Sequence, residues 1–369
     1  MAKNKKLELN IIGQTNICND IVFDKNSALE VAGSAASICY DEKANTDMAK
    51  YLSEDSEAKI KRGNSMVKVG HGSPLEHFSI SFVIKNMSKI QSLLLNNQRV
   101  YSLTERSFRY TRPDDMPFLY KKWLKILEKQ NIPKKKAQET ARYMISMFDR
   151  NSTAYYTMNI RQINVVLRML EDFLSADDFL YDNEAVFESL VHAEALELYD
   201  TLKLFDMGLQ KSRYQKLLFY KSEYPDDKIF DENYVATSTA TPVSIAQLQR
   251  HRTISYSFSL NEKKGKMYYI PPFLNKELSI EWYNDAKSVY YPNCMLFELK
   301  ESGTILDFMM KYDLRKGENV QAETRSNVSY IRNKLMSYAK NNEVCKKVKY
   351  ALFTPTESFD ISKYLSFHE

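Results

Sequence analysis

Only nine glycines occur in 369 residues, far below the usual share of about 7%. None of them builds a Gly-x-Gly-x-x-Gly fingerprint or a Gly-Lys-Ser/Thr phosphate loop, so a bound phosphate would have to be held by side chains such as Arg, Ser and Asn. The four cysteines, Cys18, Cys39, Cys294 and Cys345, are scattered without Cys-x-x-Cys spacing. That pattern indicates neither a disulfide framework nor a zinc site, and points to reduced thiols and no bound metal. No stretch approaches the roughly eighteen unbroken apolar residues of a membrane helix, and Met1-Ala2-Lys3-Asn4-Lys5-Lys6 leads into no signal-type apolar block; a cytoplasmic location with no membrane partner is the default expectation. The net charge of +5 falls short of the footprint of a dedicated nucleic-acid binder and suits a small anion equally well.

What is present is a core and a set of arginines. The 44% apolar content serves two domains of ordinary size or one large one. Gln247-Leu248-Gln249-Arg250-His251-Arg252-Thr253-Ile254-Ser255 gathers two guanidiniums, an imidazole and amides at the end of an apolar-periodic run. Guanidiniums offer planar, permanently charged donors, and a histidine beside them is expected to titrate near neutral pH, a combination suited to a nucleotide. By itself the cluster reads equally well as a basic helix end on the surface. A second copy shifts the balance. Asn97-Gln98-Arg99-Val100-Tyr101-Ser102 aligns with Arg250 to Ser255, and Arg252 minus Arg99 gives an offset of 153. At that offset Leu94 matches Gln247, Ser107 matches Leu260 and Arg109 matches Glu262. Each copy therefore keeps polar residues that the other lacks, the pattern of two diverged repeats sharing sites.

The periodicities predict an α+β chain. Leu7 to Cys39 reads as an opening strand and then a helix from Ser27, and Phe78 to Ile84 as a strand with one buried face. A short helix follows from Ser88. If Asn97 to Tyr110 is extended, two-residue alternation puts Glu105, Ser107 and Arg109 on one side, aimed at one ligand. Pro133 opens a helical run through Ile145, and Ile163, Val166, Leu167, Leu170 and Leu174 mark an amphipathic helix preceded by Asn159 and Arg161, whose plain role would be capping. Ala185 to Phe205 is a further helix. The repeat boundary is placed in the polar stretch Lys221 to Lys228, giving repeats at 1–222 and 223–369. The second repeat reads as a strand over Val235 to Thr241, a helix opened by Pro242, and a last long helical region beginning near Leu314-Arg315. Lys134 to Lys136, Lys263-Lys264 and His192 read as solvated or packing residues, and His77 and Glu76 serve structure as readily as a ligand.

These residues resemble the flavin-dependent thymidylate synthase family in a tandem, double-length form. The family's signature, Arg-His-Arg, seven residues, Ser, and an Arg two further on, is split here. The first repeat keeps Arg99 and then Ser107, Phe108, Arg109 and Tyr110; the second keeps Gln247 and Arg250-His251-Arg252. His71 to His77, Ala141-Arg142 and Asn159-Ile160-Arg161 match further landmarks in the first repeat, and Leu314-Arg315 through Gln321, Glu323 and Arg325 a landmark in the second.

The resemblance implies a fold of mainly antiparallel sheets packed with long helices, and reductive methylation of dUMP to dTMP. Methylenetetrahydrofolate would be the carbon source, FAD the hydride carrier and NADPH the reductant. It assigns nucleotide contacts to Glu105, Ser107, Arg109, Arg142, Gln247, Arg250 and Arg315, with Arg315 and Ser107 as catalytic groups. FAD contacts fall to His71, Ser73, Glu76, Asn159, Arg161, Arg250, His251 and Arg252. One composite site draws on both repeats, while a reciprocal site with Leu94, Leu260, Glu262 and Leu170 would be dead. A homodimer would then mimic the family's tetramer. The split signature also leaves open a related enzyme acting on another pyrimidine nucleotide, or a homologue that binds nucleotides or nucleic acid without catalysis.

Overall fold

The computed structural model describes residues 6–15, 22–40, 53–108, 111, 116–175, 185–209, 228–230, 233–260 and 266–339. In chain order the elements begin with β1 (Glu8–Gln14), α1 (Lys25–Tyr40), α2 (Ser56–Lys68), a 3₁₀ turn (Ser73–His77), β2 (Ser79–Met87), α3 (Lys89–Leu95) and β3 (Ser102–Glu105). Then come α4 (Phe118–Lys129), α5 (Lys134–Ala141), β4 (Ser152–Asn159), α6 (Ile160–Ser175) and α7 (Ala185–Leu202). The chain continues with β5 (Lys228–Phe230), β6 (Asn233–Ala240), α8 (Pro242–Leu248), β7 (Ser255–Leu260), α9 (Lys276–Ser288), β8 (Phe297–Thr304), α10 (Ile305–Arg315) and α11 (Ala322–Ala339). Among the described residues no helix is long and apolar enough to cross a membrane.

Two compact units divide the chain: Met1–Ser107 with Phe148–Leu217, and Phe108–Met147 with Leu218–Glu369. The late break lies near the expected repeat boundary, but residues 108–147, with α4 and α5, pack into the second unit. The spatial units therefore differ from a contiguous division at 222/223.

In the first unit β1, β2, β4 and β3 form an antiparallel sheet in that order. Alternation in β2 buries Ile80, Phe82 and Ile84 completely, as the sequence predicts. Ser88 ends the strand and starts α3 through a capping box with Gln91, which satisfies two amides at the helix start. Asn159 caps α6 with a single bond, its Oδ1 accepting from Gln162 N at 2.7 Å. The inner face of α6 (Ile163, Val166, Leu167, Leu170) is at most 1% exposed, each side chain contributing about 1.5–3 kcal/mol by leaving water. Helices α1 and α2 touch backbone to backbone: a Cβ on Gly33 would stand 1.9 Å from Lys59 O, and one on Gly63 2.2 Å from Leu29 O. Only glycine fits there.

In the second unit β5, β6, β8 and β7 form another antiparallel sheet in that order. Thr241 caps α8, its side chain accepting from Ser244 N, with Pro242 in the first turn. Thr304 and Asp307 form a capping box on α10. Helices α4, α5 and α9 enclose a separate core in which Trp123 meets Trp282 edge-on at 4.8 Å. The sequence offset maps β2, α3 and β3 onto β6, α8 and β7, with α3 and α8 in exact register. Ile305 minus Ile160 gives a second offset, 145, which relates α6 to α10 and β4 to β8.

Three expectations change. The helix from Pro133 ends at Ala141 and tightens into a 3₁₀ turn at Arg142–Met144. Leu314 and Arg315 close α10 instead of opening the last helix, which starts at Ala322. β3 ends at Glu105, so two-residue alternation does not extend to Ser107.

Candidate functional site

In the second unit the C-terminal end of α8 and the last residue of α10 converge. The turn after α8 carries Arg250, His251 and Arg252; it is closed by His251 N donating to Leu248 O at 2.9 Å and Ile254 N to His251 O at 3.2 Å. The Tyr256 hydroxyl donates to Leu248 O at 2.5 Å and lies 3.2 Å from His251 O. Arg315 Nε donates to His251 Nε2 at 3.0 Å, and its Nη2 to Gln247 O at 3.2 Å. A guanidinium only donates, so His251 Nε2 is an acceptor and the ring is neutral with its proton on Nδ1. Burial, then the charges of Arg315 and Lys311, push the imidazole down to about 3. The expectation that His251 titrates near neutral pH is thereby corrected: burial among cations opposes a further positive charge.

A directed hydrogen-bond chain adjoins this pair. Arg142 Nη2 donates to Gln321 Oε1 at 2.5 Å, and Gln247 Nε2 donates to the same oxygen. Gln321 Nε2 donates to the Tyr143 hydroxyl, which in turn donates to Glu323. Glu323 is buried and also accepts from Thr241 N at 2.7 Å and Thr241 Oγ1 at 2.8 Å. Burial pushes its carboxyl up, while Tyr143, Thr241 and the Arg142 charge pull it back only in part. Burial and Glu323 together hold the Tyr143 hydroxyl well above the usual phenol range. The chain has a fixed donor order, so Arg142 and Gln247 are aligned from the core outward.

The charge balance favours an anion. Arg315 is drawn below its ordinary range first by burial and then by the like charge of Arg250, which is exposed at the end of the turn. A phosphate, or negative charge developing on a ring, would relieve that repulsion. Arg142, Gln247, His251 and Arg315 are each half-buried, held in place yet partly open.

The expected residues of the first unit form other groupings. Ser73 Oγ lies 2.9 Å from His71 Nε2, and Arg161 pairs with Glu76. Gly72 lies against Arg161, where a Cβ would stand 3.1 Å from Nε. His71, Ser73, Glu76 and Arg161 therefore share one corner, with Asn159 nearby as a helix cap. Glu105 turns inward: it accepts from Lys89 Nζ at 2.7 Å, Ser152 Oγ at 2.9 Å and Ser92 Oγ at 3.3 Å. The Lys89 charge and these hydrogen bonds outweigh the desolvation that tends to raise its carboxyl, and hold it below the usual range. Ser107 follows β3 and is half-buried. Leu94, Leu170 and Leu260 are buried in apolar cores. Arg109 and Glu262 lie outside the described residues.

Motif spacing assigns Gln321 and Glu323 no role and does not mark Tyr143, Glu301 or Lys311. The signal for Lys311 was its i, i+4 spacing to Arg315, which puts the two cations on one helix face.

Comparison with known proteins adds sequence likeness. Residues 21–172 match the family model described as "Thymidylate synthase complementing protein". A flavin-dependent thymidylate synthase of Clostridium tetani is 33% identical over 90 residues, 24% of this chain and 35% of that protein. One from Thermococcus onnurineus is 29% identical over 157 residues, 37% of this chain and 62% of that protein. The chain thus spans between about a third and three-fifths of the length of these relatives. The Helicobacter pylori flavin-dependent thymidylate synthase, solved with FAD and dUMP, is 20% identical at a TM-score of 0.34, covering 55% of this chain and 100% of that one.

Proposed function

We propose, from the premise that residues 21–172 carry the thymidylate synthase complementing pattern, that this chain binds dUMP and converts it to dTMP by flavin-dependent reductive methylation. Methylenetetrahydrofolate supplies the carbon and NADPH the reducing equivalents in this reading. The observation that carries it is the meeting of Arg142, from the first sequence repeat, with Gln247 at a shared acceptor on Gln321, beside Arg315 from the second repeat. This supports a composite site, because neither sequence repeat alone holds that set.

Arg142 is assigned to the phosphate, where bidentate donors hold an anion in one orientation, a role that the sequence resemblance gives to Ser107 and Arg109 as well. Gln247 reads the edge of the uracil. Arg315, fixed by His251 and Gln247 O, faces the pyrimidine and stabilises negative charge as C5 becomes nucleophilic. Two separate donor sets each suit a phosphate-bearing group: His71, Ser73 and Arg161 in the first unit, and Arg250, Arg252 and the neutral His251 in the second. FAD, when bound, supplies the hydride chemistry; the protein's own groups bind, orient and balance charge. Glu105 is engaged by Lys89 and two serines, so its assigned nucleotide contact requires those bonds to be shared. The asymmetry of the two repeats favours one working class of composite site, with a homodimer supplying the tetramer-like arrangement.

The test is product analysis by mass spectrometry after incubation with dUMP, methylenetetrahydrofolate, FAD and NADPH, alongside tritium release from dUMP labelled at C5. The expected result is dTMP with matching tritium release. A methylated or otherwise altered product from UMP, with none from dUMP, would assign a different pyrimidine nucleotide. Absence of both products, with no flavin retained on purification, would leave a binding protein without catalysis.

A further inference from the structure

Glu301 on β8 and Lys311 on α10 form an ion pair at 2.6 Å, with 0% and 1% of their side chains exposed. Glu301 Oε2 has no hydrogen-bond partner among the described residues. Such a pair is a poor device for stability, because removing two charges from water offsets their attraction and packed apolar side chains usually serve as well. The first unit shows the apolar solution. At the offset of 145, Glu301 and Lys311 correspond to Tyr156 and Val166, both buried. Tyr156 completes its bonding simply, donating to Asn96 Oδ1 at 2.9 Å. The ion pair therefore has a reason specific to the second unit.

That reason lies one helical turn away. Lys311 and Arg315 are four residues apart on α10 and so share a face. Tyr256, which pairs with Glu301 across β7 and β8, braces the turn that carries His251. Sheet, buried pair, turn and guanidinium thus form one connected structure. We propose that Glu301 and Lys311 are positioning residues, a buried pair that fixes the Arg315 guanidinium through His251. The groups around His251 are Arg315 and Lys311 from α10, Tyr256 from β7, and Arg250 and Arg252 from its own turn; Glu301, the acid of this set, is engaged by Lys311. A neutral ring offers Nε2 as an acceptor to Arg315. A protonated ring would repel the guanidinium and release it, and Lys311 opposes that protonation. For its effect on turnover the proposal rests on the dUMP reading above; its geometric part does not.

The test uses the full chain with ¹⁵N-labelled histidine, the His251 signals being assigned by their loss in His251→Gln. In the wild type, without ligand, the ring is expected to remain neutral with its proton on Nδ1 from about pH 5 to 8, where an ordinary histidine titrates. A His251 that titrates near neutral pH overturns the proposal whatever the variants do. The variant Lys311→Met/Glu301→Met replaces the pair by adaptable apolar side chains. Its His251 titration is expected to move up in pH, and kcat for the nucleotide to fall on the order of tenfold or more with a smaller change in KM, as expected when a catalytic group is misplaced. A folded double variant with unchanged ring titration also overturns the proposal; if it does not fold, Lys311→Gln/Glu301→Gln, which removes both charges and keeps a polar pair at the same place, is read in the same way. Wild-type protein that turns over no nucleotide sinks the dUMP reading, while the ligand-free titrations still decide this one.

Discussion

The two units follow one plan and use its equivalent positions for opposite purposes. Both sheets have the same strand order, and both start the helix after their second strand with a hydroxyl cap, Ser88 in one and Thr241 in the other. Both caps donate to a buried glutamate on a later helix of their unit, Glu194 of α7 at 2.6 Å and Glu323 of α11 at 2.8 Å. There the likeness ends. Glu194 is paired by Arg150 at 2.9 Å, and Glu105 is consumed by Lys89 and two serines. Glu323 instead anchors a chain that runs through Tyr143 and Gln321 to Arg142 and Gln247. Leu94 and Leu170 fill core where Gln247 and Arg315 present donors. The same backbone can therefore carry a closed polar network or one that ends in half-buried donors. The side chains at a few matched positions decide which.

The sharpest way to break this contrast is to truncate one matched pair. Arg315→Ala removes a guanidinium from the half-buried end of α10; the chain should stay folded while nucleotide turnover falls about 10²–10³-fold, the usual cost of losing one donor to developing negative charge. Leu170→Ala, at the equivalent position, should cost about 2–5 kcal/mol of stability by opening a cavity and leave dUMP affinity intact in the folded fraction. Urea denaturation, isothermal titration with dUMP and turnover assays on each variant separate the two effects. If Leu170→Ala loses turnover in its folded fraction and Arg315→Ala does not, the units have been assigned the wrong way round.

A smaller effect separates the two ways of filling the sheet-to-helix contact. Glu301→Gln leaves the Lys311 ammonium buried without its counter-charge and should destabilise the second unit by about 3–5 kcal/mol. Tyr156→Phe leaves Asn96 Oδ1 and the Ser92 hydroxyl each short of one neutral hydrogen bond and no charge unpaired, about 1–3 kcal/mol. Denaturant midpoints compare them directly. Equal losses would mean that the second unit tolerates an unpaired Lys311, and the positioning role of the pair would lose its physical basis.

Much of this architecture is legible in the chain because it is local. Alternation reveals β2, and Ser88, Asn159 and Pro242 mark helix starts through groups that satisfy free amides within one turn. The offset of 153 by itself brings α3 and α8 into register. β8 escapes sequence reading because its inward positions run Phe297, Leu299, Glu301; a buried carboxylate breaks the apolar alternation on which a strand is recognised. The assignment of 108–147 to the second unit escapes as well, since helical periodicity says which face is apolar and nothing about which core will cover it. Within the candidate site, motif spacing picks out Arg142, Gln247 and Arg315, but Gln321, the acceptor that Arg142 and Gln247 share, lies 179 residues from Arg142. The depression of His251 is hidden from the sequence for a related reason: the burial and the Arg315 and Lys311 charges behind it come from another element.

That depression gives the two units different responses to acid. Unfolded His251 binds a proton near its ordinary value of 6.5, whereas the folded ring does not until about 3. Between those values the unfolded chain holds more protons, so stability rises with pH, is complete above about 6.5, and is lost as pH falls toward 3. The slope from one such group is at most about 1.4 kcal/mol per pH unit. Its counterpart at the offset of 153, Gln98, accepts from Gln162 at 2.8 Å and has no proton to gain. In the first unit, the depressed carboxyl of Glu105 makes its contribution above the ordinary value of 4.5 and loses it only as pH falls through its lower folded value. Glu323, raised in the second unit, acts in the opposite sense to His251. The measurement is therefore the difference in unfolding free energy between wild type and His251→Gln across pH 4 to 7, with amide exchange reporting each unit separately. The difference should shrink steadily as pH falls, and protection should weaken first around α8 and β7, while β2 and β4 hold until Glu105 begins to protonate. A pH-independent difference would show that His251 carries no penalty on protonation, and the contrast between the two turns would reduce to one of shape.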